Sequence, residues 1–396
     1  MDSQVNDDSS QTVNPAKKVL LVILGILLAV VIGELSLRFI YFLADRQILG
    51  LHPLKNTIGW QDDKRIGRRL LPNQQGWFVT PTQEYYTWVT VNSQGWRDSE
   101  HQFNKEDKVF RIILIGDSFV ENFQVPLAET FFKIVEKEIN LANPGPKVEI
   151  IALGLGDTGT AQQLQIIEKY ASLYQPDLVV QLFYMGNDVK NNSAKLQGDP
   201  HRLYFKLQDG QLQVIPFTTR SSLLPQRLLS FVKNNSNLVE WLLDQKGRIF
   251  TKIDAYPIDY QVYSISYSDE FQQAWEVTKA LIKEARNQVA NQGADYWLVA
   301  IPAQEQVDRQ FWQDAISFYP KVQKADFDLA KPDKILKEFC SQENLSCLFT
   351  ADIFKEKFAQ NNQRLFYKQD GHWNSSGSRL MADILISNLK DYFSSR

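Results

Sequence analysis

Ser118 stands in the run Gly116-Asp117-Ser118-Phe119, directly behind the apolar segment Val109 to Ile115. A serine at the end of a strand, with a glycine two residues before it, presents its hydroxyl at the edge where an α/β sheet holds its ligands. It becomes a nucleophile only if a base reaches its proton. Four histidines are available, His52, His101, His201 and His372. His52 lies just past a long apolar segment, His101 sits in a charged linker, and His201 follows Asp199-Pro200 in a long connection. His372 stands in Asp370-Gly371-His372-Trp373-Asn374, immediately ahead of a helical pattern. In extended geometry residues i and i+2 face the same way, so Asp370 can hold the tautomer of the imidazole while His372 takes the serine proton. Both motifs also have a plainer reading, as turns in which Asp, Ser or Asn caps the next helix.

Two further runs add donors. Gly186-Asn187-Asp188 would put the Asn187 amide at the same edge, where an N–H suits a developing oxyanion. In Gly154-Leu155-Gly156-Asp157-Thr158-Gly159 the glycines let backbone N–H groups approach a ligand. That run is also a literal G-x-G-x-x-G, the dinucleotide-binding fingerprint of an oxidoreductase. Its place after the second strand instead of the first speaks against that reading.

The elements that must position these residues follow from the hydrophobic periodicity. Short apolar runs alternate with helical patterns from residue 109 onward, which predicts an α/β fold with a parallel sheet and crossover helices. Strands are expected at 109–115, 148–153, 178–184, 295–301 and 347–350, and helices at about 127–141, 160–174, 268–291, 331–341 and 375–392. Residues 45–107 read as a lead-in segment, rich in Gly, Pro, Trp and Tyr, with a strand at Tyr85 to Val91. An insertion at about 190–265 carries a hairpin signal at Asp209-Gly210 and an amphipathic stretch from Leu223 to Leu243. Trp60, Trp77, Trp88, Trp96, Tyr204 and Trp241 could stack on sugar rings, although each taken singly reads more simply as buried packing.

Composition sets the outer limits. The 396 residues carry 43 basic and 46 acidic side chains, a net charge of −3, with 44% hydrophobic residues. No basic region supports a nucleic-acid partner. Two cysteines, four histidines and the lack of H-E-x-x-H or C-x-x-C speak against a metal centre, and no cofactor is expected. Val19 to Gly33 runs fifteen residues without a charge, and Leu35 to Ala44 continues mostly apolar. Together they reach the roughly 20 residues a bilayer requires, with Glu34 and Arg38 spaced to pair at i and i+4. A cleaved signal peptide and a buried soluble helix are the competing readings. The lack of a small-x-small cleavage site and the polar tail over 1–18 favour a retained anchor over 19–44. The short tail with Lys17 and Lys18 is expected inside and the bulk of the chain outside. Cys340 and Cys347 can pair there in a disulfide or be two unrelated thiols.

The four motifs in chain order, G-D-S, a glycine turn, G-N-D and a terminal D-x-H, resemble the SGNH hydrolase (GDSL esterase/lipase) superfamily over about Val109 to Leu389. The resemblance implies a flavodoxin-like three-layer α/β/α sandwich, with residues 108–396 as the catalytic domain. It implies Ser118 as nucleophile, His372 as general base and Asp370 as its orienter. The backbone N–H groups of Ser118 and Gly156 and the Asn187 amide would form the oxyanion hole, with Asp157 the alternative to Gly156. The family's usual terminal block is D-x-x-H; the shorter D-x-H-W form is similar to the alginate O-acetyltransferase-like branch, which acts on envelope or secreted polysaccharides. The chain would then be a membrane-anchored serine esterase or O-acyl(acetyl)transferase for an ester of an extracytoplasmic carbohydrate, with room for an envelope partner in acyl transfer. An inactive polysaccharide-binding relative and a lipase are the alternatives.

Overall fold

The computed structural model describes residues 15–142, 146–215, 232, 235–249, 257–319, 326–361 and 363–395. The start of the polar tail and residues 216–231 of the insertion, with the first part of its amphipathic stretch, lie outside them. The chain divides into two compact units, Met1–Leu54 with Ser221–Thr251, and Lys55–Arg220 with Lys252–Arg396.

In the first unit α1 (Pro15–Asp45) is a single helix of 31 residues, longer at its start than the expected 19–44. At about 1.5 Å per residue it extends about 46 Å, long and apolar enough to cross a membrane. Glu34 meets Arg38 at 2.7 Å, as their spacing predicts. Its carboxylate also accepts from Ser236 Oγ at 2.8 Å and Leu238 N at 2.9 Å, and so caps the helix Asn237–Ile249. That satisfies amides that a helix start leaves unpaired.

The second unit opens with two antiparallel hairpins, β1 (Trp60–Asp63) with β2 (Gly67–Leu70), and β3 (Gln75–Val79) with β4 (Tyr86–Thr90). The sequence reading anticipated only the last of these four strands. Next come β5 (Val109–Gly116), the one-turn α2 (Ser118–Glu121), α3 (Phe131–Ala142), β6 (Lys147–Gly154), α4 (Thr160–Lys169) and β7 (Leu178–Tyr184). The hairpin β8 (Tyr204–Gln208) and β9 (Gln211–Ile215) turns at Asp209-Gly210, both with positive φ, as the dipeptide signals. The chain continues through α5 (Asp269–Asn291), β10 (Asp295–Ile301), α6 (Arg309–Ser317), α7 (Lys331–Gln342), β11 (Cys347–Phe349), α8 (Ala351–Asn361) and α9 (Ser375–Ser394). Helices α6 and α8 were not expected from periodicity. Cys340 and Cys347 form a disulfide that ties α7 to β11.

Five parallel strands make the central sheet in the order β11-β10-β7-β5-β6. Side chains alternate across a strand, and each strand is apolar on both faces because helices cover both. Ile113 and Ile115 of β5 enter one core with Leu164 of α4 and Leu281 of α5. Ile112 and Leu114 enter the other with Phe132 of α3 and Leu385 of α9. The result is the expected three-layer α/β/α sandwich. Counted in chain order the strands run 2-1-3-4-5, so the topological switch point falls between β5 and β7. The G-D-S and G-N-D runs leave the sheet on either side of it.

The lead-in is pinned to the sheet by buried charges. His101 Nδ1 lies 2.7 Å from Glu149 Oε1 of β6, and its Nε2 lies 3.3 Å from Asp98 Oδ2. Lys133 of α3 meets Asp98 at 2.6 Å. Burial opposes a charge on His101, but the bonds to Asp98 and Glu149 dominate and raise it to about 9. A raised folded-state value means that the stabilisation is fully present below the unfolded value and is lost as pH climbs through about 9. On that basis, denaturant unfolding should lose on the order of 3 kcal/mol at His101 between pH 7 and pH 10. His101→Gln should be less stable at pH 7 and should lack that component of the decline; an unchanged slope in the variant would remove His101 as its source.

Candidate active site

Ser118 begins α2 at the carboxyl end of β5, where the Asp117 carboxylate caps the turn by accepting Phe119 N at 3.0 Å. Its Oγ lies 2.7 Å from His372 Nε2, and His372 Nδ1 lies 2.6 Å from Asp370 Oδ1. Residues 254 positions apart thus share one hydrogen-bonded chain. Asp370 and His372 meet as expected, but not through extended backbone. Gly371 between them has φ +79°, a left-handed turn, and this bend lets the short D-x-H spacing close. Asn374, the last residue of the block, caps α9 through Ser376 N and Gly377 N.

The lead-in takes part in this arrangement, which no sequence signal revealed. In the loop joining β3 to β4, Thr80 Oγ1 donates to Asp370 Oδ2 at 3.0 Å. The Glu84 carboxylate accepts from the backbone N–H groups of Gln369 and Asp370 at 2.8 and 2.7 Å. Tyr85 packs on Tyr367 with ring centroids 4.5 Å apart. Burial works against a charge on Asp370, yet the bonds from His372 and Thr80 hold its carboxyl below the ordinary value. The His372 ring is backed by Phe119 at 4.8 Å. Locked from both sides, the imidazole can accept a proton at Nε2 while the carboxylate faces the charge that develops.

Asn187 follows β7 on the other side of the switch point, and its side chain faces the buried Asp117 carboxyl. Burial raises Asp117, against the Phe119 and Asn187 hydrogen bonds. The Gly156 N–H, the second expected donor, faces the carboxyl of Glu121. A methyl group on Gly156 would lie 2.7 Å from Glu121 Oε2, so this carboxyl fills the space over the glycine turn. A dinucleotide pyrophosphate would need that space. Asp157, the alternative donor residue, has φ +63° and its carboxylate is paired with Arg202.

A cavity of about 360 Å³ adjoins these groups, lined by Asn187, Gly371, Lys190, Asp259, Tyr260 and Glu305 among others. Through Tyr260, Gln304, Phe311 and Gln369 it shares its wall with a cleft of about 800 Å³ along α6. Of the aromatic residues anticipated as sugar platforms, Trp96 and Tyr204 are buried in the core at 2% and 4% exposure. Trp77 and Trp88 pack edge to face at 5.1 Å on the β3–β4 hairpin, with Trp88 exposed. Phe311 of α6 and Tyr260, in the turn Ile258–Tyr263, line the cleft and were not anticipated from the sequence. Among the described residues no cluster of three or more His, Cys, Asp or Glu could hold a metal ion.

Residues 263–394, which include Asp370 and His372, match the family model described as "SGNH hydrolase-like domain, acetyltransferase AlgX". No curated protein matches the chain. Solved structures similar to it include an acetyl xylan esterase, AlAXEase, at 14% identity and a TM-score of 0.39, covering 70% of this chain and 99% of that one. A lipase/acylhydrolase from Enterococcus faecalis aligns at 14% identity and 0.37, covering 72% and 96%. A two-domain esterase active on acetylated mannans aligns at 11% and 0.38, covering 72% of this chain and 49% of that one. Over residues 263–394, its carboxyl-terminal third, the chain is similar to the SGNH hydrolase-like domain of the AlgX acetyltransferase family, and that stretch contains Asp370 and His372.

Proposed function

We propose that the chain is a membrane-anchored serine esterase or O-acyltransferase that acts on an acylated extracytoplasmic carbohydrate. The observation that carries the reading is the hydrogen-bonded chain Ser118–His372–Asp370 at the sheet's ligand edge. His372 Nε2 takes the Ser118 proton as Oγ attacks the ester carbonyl, and the Asn187 amide and backbone N–H groups of the Ser118 and Gly156 turns receive the oxyanion. The carbonyl re-forms, the C–O bond to the sugar breaks, and His372 returns its proton to the leaving oxygen. Water or a second hydroxyl then takes the acyl group by the same route, which makes esterase and transferase two outcomes of one site.

Carbohydrate is favoured over lipid by the D-x-H-W block and by the cleft beside the site, which mixes aromatic rings with Gln304, Asp308, Arg364 and Gln369 instead of forming an apolar channel. Helix α1 supports an anchor over 19–44, and the Cys340–Cys347 disulfide suits an oxidising compartment. One experiment addresses substrate, anchor and orientation together. Spheroplasts expressing the full chain should release acetate from acetylated xylan or alginate added outside, and external protease should abolish that release while the amino-terminal tail stays protected. Fatty-acid release from triglyceride without acetate release or transfer would favour a lipase. Activity confined to the cytoplasmic fraction would overturn the anchor.

A further inference from the structure

Glu121 is a buried acid at this site that the acyl-serine scheme leaves without a role. It ends α2 three residues after Ser118, so the single helical turn sets the two on the same side. The side chain is enclosed, at 5% exposure, and its Oε1 has no hydrogen-bond partner among the described residues. A buried polar atom of that kind calls for an explanation. The same point in space, a methyl position on Gly156, lies 2.7 Å from Glu121 Oε2 and 3.8 Å from Ser118 Cβ. Nucleophile, glycine turn and carboxyl therefore converge within a few ångströms.

The groups that face this carboxyl are the Gly156 N–H, Arg68 of β2, Arg97 of the lead-in and Asp117. Arg97 also donates to the Glu121 backbone oxygen at 3.3 Å. Burial is the largest influence and pushes the carboxyl up to about 8; the glycine N–H and the two arginines oppose it, and Asp117 adds to it. Near neutral pH the residue is thus an uncharged acid. A neutral acceptor holds an N–H about half as strongly as an anion does. An oxyanion forming on the carbon attached to Ser118 can outcompete it for the Gly156 N–H. A carboxylate would keep that N–H in a charge-assisted bond and set one negative charge against another where charge must develop.

We propose that Glu121 is a positioning residue of the oxyanion hole, yielding the Gly156 N–H to the substrate while its carboxyl is neutral and withholding it once the carboxyl ionises. The inference rests on Ser118 being the nucleophile, and labelling with a fluorophosphonate probe separates the two. In that reaction the Ser118 O–P bond forms, the P–F bond breaks, fluoride leaves, and His372 takes the proton, so no natural substrate is needed.

In the full chain, the labelling rate at pH 9.5 should fall to one-tenth or less of its value at pH 7. In Glu121→Gln, whose amide cannot ionise, the ratio of the two rates should stay within threefold of one. Asp117 and Glu305 remain in the variant, so an alkaline limb that belongs to either of them would persist. Infrared difference spectra of the parent should show a carboxylic-acid band that titrates with the same midpoint as labelling. This second readout holds even if the variant does not fold. The same alkaline limb in Glu121→Gln, or a parent whose labelling is flat with pH, would overturn the role of Glu121 alone. Absence of Ser118 labelling at every pH would overturn the nucleophile and this proposal together.

Discussion

Ser118→Ala is expected to abolish covalent labelling by a fluorophosphonate and to lower hydrolysis of a short-chain aryl ester by roughly 10⁴-fold or more. The size of the effect follows from the site's geometry. Ser118 Oγ is the atom His372 Nε2 addresses at 2.7 Å. Without the hydroxyl, only oxyanion donors and substrate binding remain to assist water, and those alone sustain a small residual rate. Stability should change little, since a small side chain at the start of a one-turn helix is replaced by a smaller one. Mass spectrometry of the labelled parent should locate the adduct on Ser118. Persistent labelling of the alanine variant at another serine would reassign the nucleophile.

Asp370→Ala carries the second largest expected effect, about 10³- to 10⁴-fold in kcat, or about 4–5.5 kcal/mol of barrier. The Asp370 carboxylate receives His372 Nδ1–H at 2.6 Å on one oxygen and the Thr80 hydroxyl at 3.0 Å on the other. Removing it frees the imidazole to adopt the tautomer with the proton on Nε2, which cannot accept from serine. It also removes the negative charge that offsets the imidazolium. The loop itself should stay in place, because Glu84 holds it through the backbone N–H groups of Gln369 and residue 370, which the substitution keeps. Labelling of Ser118 should therefore slow by a similar factor with little change in unfolding midpoint. A loss smaller than tenfold would assign the orienting role elsewhere.

Much of the fold was legible because its causes are local. The five strands of the sheet are continuous apolar runs, expected to within a residue or two of where they lie, since a strand buried on both faces has no other way to be written. The turn at Asp209-Gly210 was legible for the same reason, as two adjacent residues tolerate the left-handed conformation the hairpin needs. Strands β1 to β3 and helices α6 and α8 were not. The hairpin strands are short and mix polar with apolar residues, and α8 has only a weak apolar face; α6 is amphipathic but only nine residues long.

The candidate site divides along the same line. The sequence by itself determined which residue types could meet: a serine and an amide at the ends of two strands, and a histidine with an aspartate two residues before it. Chain order and the switch-point rule for parallel sheets then put them at one edge. Only the tertiary structure decided how they are held. The left-handed Gly371 closes the Asp370–His372 pair, and Thr80 and Glu84, far back in the lead-in, fix the loop that carries it. Glu121 over the glycine turn belongs to the same class, because the pressure to stay uncharged comes from its burial and from Asp117, against the opposing charges of Arg68 and Arg97. Contacts between residues hundreds of positions apart leave no periodic trace in a single chain. They arise from side-chain packing after the sheet has formed, and sequence spacing carries no record of them.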